Sequence, residues 1–177
     1  MQKISNIPSF AASVVLLVAI VFPIKGMCGQ TGLSLIPKPD TLTMKEGKLV
    51  IDNHFSVVIK GKATPLLKQA RIRFIKRLQK RTGLPLNDGR DTSSEDGILE
   101  IICMGEGAPV QSVTTDESYT LEVSETKARL TANSPVGIVR GLETLLQLVD
   151  IDEISFFIPS IAVNDRPRYN WRGLLID

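Results

Sequence analysis

Alternating hydrophobic and polar positions predict a series of β-strands between residues 33 and 163. Residues 119–124 and 128–132 alternate regularly, and the short polar turn between them predicts a hairpin. Residues 98–103 are mostly apolar, which is typical of a central strand. Further strands are predicted at residues 41–45, 48–51 and 55–59, with Glu46-Gly47 as a turn between the first two, and residues 154–163 are extended and apolar.

Hydrophobic residues at helical spacing predict two helices. The first covers residues 64–82, with Thr64 as N-cap, proline at the first helical position and glycine after the end. The second begins after the N-cap Ser134 and ends near Asp150. Gly137 and Gly141 lie one turn apart within it, and a glycine inside a helix costs about 1 kcal/mol relative to alanine. We therefore expect a close contact there with a sheet or another helix.

The order of these elements is strands, helix, strands, helix, with no repeating βαβ pattern. This order predicts an α+β domain, in which a mostly antiparallel sheet carries two helices on one face. The sequence contains no internal repeat and no glycine-rich phosphate loop.

The N-terminal segment has the pattern of a signal peptide. Phe10 to Phe22 is an apolar run of about 13 residues, shorter than the roughly 20 that span a bilayer. We expect residues 1–28 to be removed after Cys28, which leaves an extracytoplasmic (periplasmic or secreted) chain without a stable membrane span. Two alternatives stay open: a short membrane anchor, and a lipoprotein attached through Cys28.

Composition excludes several classes of protein. The chain has two cysteines and one histidine, too few for a disulfide scaffold or a Cys/His zinc site, so we expect neither a metal nor a cofactor. The first helix carries many basic residues and no acidic ones, a pattern found on nucleic-acid or anionic-lipid surfaces. A net charge of +2 favours an ordinary solvated helix face instead, and we expect no nucleic-acid partner.

Residues 165–177 differ from the rest of the chain. They contain its only tryptophan, and the apolar run Leu174-Leu175-Ile176 before Asp177 has the character of a buried strand. Because nothing follows to pair with this strand, we predict that it belongs to a second domain. The predicted organisation is a signal peptide at residues 1–28, an α+β accessory domain at 29–163, and the start of another domain at 164–177.

Several motifs resemble one known family. The segment Pro167-Arg168-Tyr169-Asn170-Trp171-Arg172-Gly173, with the apolar strand and Asp177 after it, resembles the opening of the catalytic barrel of glycoside hydrolase family 20, the β-N-acetylhexosaminidases. Residues 35–39, 118–123 and 136–148 are similar to the family's N-terminal entry, to a strand of its accessory domain, and to the helix that follows that strand. The resemblance covers about residues 33–177, in the same order.

The resemblance implies a function and one site residue. Residues 164–177 would hold the first strand of a (β/α)8 barrel, and Arg172 would bind the hydroxyls of a terminal sugar. The alternative role for Arg172 is a structural pair with a neighbouring carboxylate. The family's substrate-assisted, retaining mechanism needs an Asp-Glu pair, which would lie beyond Asp177. The resemblance thus implies that this chain has no catalytic residue and is inactive alone.

The expected partners are N-acetylhexosamine-terminated glycans or chitooligosaccharides, bound by the full-length enzyme, and the enzyme's own catalytic barrel. A second hypothesis is a self-contained, non-catalytic α+β module that binds glycans or serves in packing. The chain would then need no barrel. A third is the accessory domain of a different glycoside hydrolase family.

Overall fold

The computed structural model describes residues 33–61, 63–86, 97–108 and 111–169. The described residues all belong to the unit that begins at Leu33. The signal peptide predicted at residues 1–28 and the predicted sugar-binding residue Arg172 lie outside the described residues.

The described residues form one mixed sheet and two helices. The strand order in the sheet is β1-β7-β4-β5-β3-β2, and β6 pairs with the first two residues of β7, Phe156 and Phe157. The ladders of β3 with β2 and with β5 are parallel, and the other ladders are antiparallel. In chain order the elements are β1 Thr41–Ile51, β2 Val57–Lys60, α1 Pro65–Thr82, β3 Leu99–Cys103, β4 Tyr119–Val123, β5 Ala128–Ala132, α2 Pro135–Leu148, β6 Asp150–Ile151 and β7 Phe156–Asp165.

The predicted α+β class and both helices are confirmed. The predicted turn at Glu46-Gly47 is wrong, because β1 runs through it as one strand with a register shift between Met44 and Lys48. Pro159 pairs with Lys48 at the end of the shift, and a proline has no backbone N–H with which to continue a regular ladder. Sequence reasoning also missed that β2, α1 and β3 form a parallel crossover unit.

The helix ends follow the predicted capping chemistry. The Thr64 hydroxyl accepts the Leu67 N–H at 3.4 Å, and Gly83 closes α1 in the left-handed conformation at φ 72°. In α2 the Ser134 hydroxyl accepts the Gly137 N–H at 3.1 Å. The helix ends at Leu148, close to the predicted end at Asp150.

One face of the sheet forms the core with the helices. Along β4 the side chains of Tyr119, Leu121 and Val123 are buried, whereas Thr120 and Glu122 between them are exposed. Because successive side chains of a strand point to opposite faces, the helices cover one face and leave the other to solvent. Helix α1 packs against α2, for example through the Arg77–Glu143 ion pair, so both helices lie on the same side of the sheet, as predicted.

The two glycines of α2 let the helix approach the sheet closely. A Cβ atom added to Gly137 would overlap the Ser118 carbonyl oxygen and would lie 2.9 Å from the Ala132 Cβ. A Cβ at Gly141 would overlap a methyl group of Leu130 and come within 3.0 Å of the Tyr119 ring. The expected close contact is confirmed, and it is made with β4, β5 and the residue before β4.

A Gly137→Ala substitution should destabilise the domain by about 1–3 kcal/mol, because the added methyl group overpacks a rigid backbone contact. Helix propensity alone would stabilise the variant by about 1 kcal/mol, so the two effects have opposite signs. Urea unfolding measures the change. The control is Lys76→Ala, at an exposed position of α1, which should change the free energy of unfolding by less than about 0.5 kcal/mol. A stabilised Gly137→Ala variant would contradict the packing argument.

Candidate functional site

The ends of three strands meet at the corner of the sheet where the chain leaves β7. Asp165 is the last residue of β7 and lies directly opposite Tyr119, the first residue of β4. On its other side β7 pairs with β1, through Asn164 opposite Thr41. The Asp165 Oδ1 accepts the backbone N–H of Asp40 at 3.1 Å. The corner therefore determines where residues 166–169 begin their path away from the sheet.

Tyr119 connects this corner to α2. Its side chain is buried, and its hydroxyl lies 2.5 Å from the Thr144 hydroxyl. Burial raises the pKa of Tyr119 to about 12, the hydrogen bond with Thr144 opposes the rise, and the Asp165 carboxylate adds to it. Tyr119 therefore stays protonated near neutral pH and serves as a hydrogen-bonding group, not as a base.

An open cleft of about 540 Å³ lies beside the corner. Arg166 forms one side of it and pairs with Asp40, with 3.7 Å between the Arg166 Nε and the Asp40 Oδ2. The pair is exposed to solvent, so it contributes only about 0–1 kcal/mol of stability. The cleft is lined by Asp40, residues 113–117, and Arg166, Pro167 and Arg168.

Two carboxylates that line the cleft, those of Glu117 and Asp116, accept hydrogen bonds from neighbouring residues. Glu117 is buried, and it accepts hydrogen bonds from the Arg140 Nε at 2.9 Å and the Gln111 amide at 3.0 Å. The ion pair with Glu117 gives Arg140 a structural role. Both carboxylate oxygens of Glu117 are therefore occupied by donors from the domain itself.

Asp116 next to it is held in the same way. Its Oδ1 accepts the Ser118 hydroxyl at 2.6 Å and the Ser118 N–H at 2.9 Å, and its Oδ2 accepts the Asn133 amide at 3.2 Å. The Ser118 bonds, and more weakly the Asn133 bond, hold the pKa of Asp116 below its usual 3.8, although slight burial opposes them. The Ser134 hydroxyl, which caps α2, also donates to the Asp116 carbonyl oxygen.

A second charged cluster lies on the open face of the sheet. Glu100 is largely buried and accepts hydrogen bonds from Arg129 at 3.2 Å and Lys127 at 3.3 Å. These bonds, that of Arg129 first, hold the pKa of Glu100 below its usual 4.5. Each charge in this cluster has a partner of opposite sign on a neighbouring strand or turn, so the cluster stabilises the sheet.

The basic side of α1 is partly explained by contacts with α2. The Arg81 guanidinium donates to the carbonyl oxygens of Leu146 and Val149, both at 2.6 Å, and so caps the C-terminus of α2. Arg77 pairs with Glu143 of α2 at 2.5 Å. Two of the arginines that suggested an anionic partner therefore bind α2.

No group of three or more His, Cys, Asp or Glu side chains in the described residues is placed to hold a metal ion. The helices among those residues are also too short or too polar to cross a membrane. The described chain ends at Tyr169, three residues before Arg172, and Tyr169 is 75% exposed. The contacts of Asp165 and Arg166 with Asp40 hold the start of residues 166–169 next to the beginning of β1.

Sequence reasoning missed Tyr119 and Asp165. Alternation along β4 does place Tyr119 on the buried face, and a buried tyrosine hydroxyl needs a partner. The pairing of Tyr119 with Asp165 joins strands 46 positions apart in the sequence and required the sheet register.

The Asp116→Asn variant should be less stable than the wild type near neutral pH. Because the folded-state pKa of Asp116 is lowered, its carboxylate adds stability above the unfolded value, and this stability is lost as the pH falls through the folded pKa. Urea unfolding between about pH 7 and pH 3 should show the difference in unfolding free energy closing on the acid side. A difference that stays constant over this range would contradict the assignment.

Comparison with known proteins identifies relatives of this chain. A family model described as "beta-acetyl hexosaminidase like" matches residues 35–148, more than half of the chain. A β-hexosaminidase of Vibrio furnissii is 29% identical over 146 residues, which are 82% of this chain and 21% of that protein.

Two solved structures share the fold. A chitobiase of Flavobacterium johnsoniae superposes with a TM-score of 0.71 at 32% identity, over 81% of this chain and 22% of that one. An exo-β-N-acetylglucosaminidase of Vibrio harveyi, solved with N-acetylglucosamine, superposes with a TM-score of 0.58 at 25% identity, over 76% of this chain and 19% of that one. The chain thus spans about a fifth of the length of these relatives.

Proposed function

The chain belongs to glycoside hydrolase family 20, the β-N-acetylhexosaminidases, and we propose that it is the N-terminal part of a secreted enzyme of this family. The longer enzyme removes terminal N-acetylglucosamine or N-acetylgalactosamine from glycans or chitooligosaccharides. The observation that carries the proposal is the family match over residues 35–148, after which β7 leads directly into the segment with Arg172.

In this proposal Arg172 binds the terminal sugar. A planar guanidinium has several N–H donors in fixed directions, which suits the neighbouring hydroxyls of a sugar ring. The end of a barrel strand is also where barrel enzymes bind substrate. The resemblance implies that the sugar's own 2-acetamido oxygen attacks the anomeric carbon, while an Asp-Glu pair beyond Asp177 orients this group and protonates the leaving oxygen. This chain therefore contributes substrate binding and lacks the acid.

The accessory domain packs against its own barrel in this proposal. Several large apolar side chains before β1 and after α2 are exposed: Ile36 to 76%, Ile151 to 60% and Ile154 to 93%. In this proposal, these side chains are available for the contact with the barrel. The alternative of a self-contained module would leave these side chains in water.

The activity test compares the full-length protein, extended beyond Asp177, with the 177-residue chain. We expect the full-length protein to release the chromophore from an aryl N-acetyl-β-glucosaminide, and the 177-residue chain to release none. Arg172→Ala in the full-length protein should lower kcat/KM by about a hundredfold or more, which is the effect of losing a charged donor to a substrate hydroxyl. The control is Arg73→Ala, at an exposed position of α1, which should leave kcat/KM unchanged. An inactive full-length protein would count against the proposal.

Export gives a separate prediction. We expect intact-mass spectrometry of the exported protein to show a mature chain that begins at Gly29, because the apolar run is too short to span a bilayer. A lipid-modified Cys28 at the new N-terminus would support the lipoprotein alternative instead. Retention of residues 1–28 in the membrane fraction would contradict signal cleavage.

A further inference from the structure

The carboxylate of Asp165 holds the point at which the chain leaves the sheet. It accepts the Asp40 N–H at 3.1 Å, and this bond ties the end of β7 to the residue before β1. On its other side it faces Tyr119 of β4, its direct cross-strand partner. Side chains of directly opposite residues lie on the same face of a sheet, so Asp165 lies toward the side that α2 covers.

Tyr119 joins this corner to α2. It is 3% exposed, and its hydroxyl contacts Thr144 of α2 at 2.5 Å. The Tyr119 ring also packs against Gly141, where an added Cβ would lie only 3.0 Å away. Tyr119 thus links α2 to the end of β7, where Asp165 lies.

The residues after Asp165 are also restrained. Arg166 pairs with Asp40, the residue whose N–H is bound by Asp165. Pro167 is half-buried in the side of the cleft, and its ring fixes φ near −65°. Arg168 lines the same cleft, and Arg172 follows four residues later.

We propose that Asp165 is a positioning residue for Arg172, and that it sets the direction in which the chain passes from the accessory domain into the sugar-binding segment. The proposal rests on the proposed function, because it assigns Arg172 to the sugar. It adds a task for the accessory domain. Besides packing, the domain fixes the start of the barrel strand that carries Arg172.

The test uses the full-length enzyme and its KM for an aryl N-acetyl-β-glucosaminide. Asp165→Ala removes the acceptor, and we expect KM to rise about tenfold or more, because a displacement of about 1 Å at a substrate-binding group has large effects. Asp165→Asn keeps an oxygen that can accept the Asp40 N–H, and we expect KM to return close to the wild-type value.

Asp152→Ala is the matched control. Asp152 is also a half-buried aspartate, and it lies near the opposite end of β7. Its carboxylate accepts the N–H groups of Ile154 and Ser155 and forms an ion pair with Lys48. Its loss should lower Tm by an amount similar to that of Asp165→Ala while KM stays at the wild-type value. A general loss of stability therefore does not account for the expected difference in KM.

The outcomes separate the two proposals. An inactive wild-type enzyme contradicts the proposed function. An active wild type with an unchanged KM in Asp165→Ala, or with the same rise in Asp152→Ala, overturns the positioning role alone. Should Asp165→Ala fail to fold, Tyr119→Phe replaces it. A rise in KM of about threefold or more supports the proposal, since the corner loses its bond to α2, and an unchanged KM overturns it.

Discussion

The close packing of α2 on β4 and β5 is the contact on which the rest of this domain depends. A side chain at Gly137 would overlap the backbone carbonyl of Ser118, and one at Gly141 would press on the Leu130 side chain. The approach brings the Ser134 cap against Asp116 and the Thr144 hydroxyl against Tyr119. Asp116 and Glu117, which line the cleft, are thus held against α2 or its cap, and Tyr119 joins the strand corner to the same helix.

The charged residues of the domain act mainly within it. Arg81 caps α2, Arg140 binds buried Glu117, and Glu100 pairs with two cations of neighbouring elements. Charges placed in this way fix how the helices, strands and turns of the domain meet.

The position of β7 determines where the chain leaves the sheet. The match covers residues 35–148, and the chain then returns through β7 to the interior of the sheet before it leaves at Asp165. The chain leaves the sheet from β7, which is paired with β1 on one side and with β4 on the other. A chain that leaves from an edge strand would be paired on one side only. We infer that the place of β7 in the sheet restrains the path of the chain after Asp165.

The sequence by itself determined the local elements and the family. Caps at Thr64 and Ser134, alternation in the β4–β5 hairpin and the glycine pair in α2 are local signals, because each depends on neighbouring residues and backbone geometry. The motif around Arg172 likewise predicted the family without a structure.

Only the tertiary structure decided the pairings between distant segments. The continuous β1, the parallel alignment of β2 with β3, and the meeting of Tyr119 with Asp165 depend on strand register across the whole sheet. Register is set by the packing of one face against the helices, and a one-residue slip would reverse every side chain. Such a constraint has no local signature, so the anchoring role of Asp165 became visible only in the folded domain.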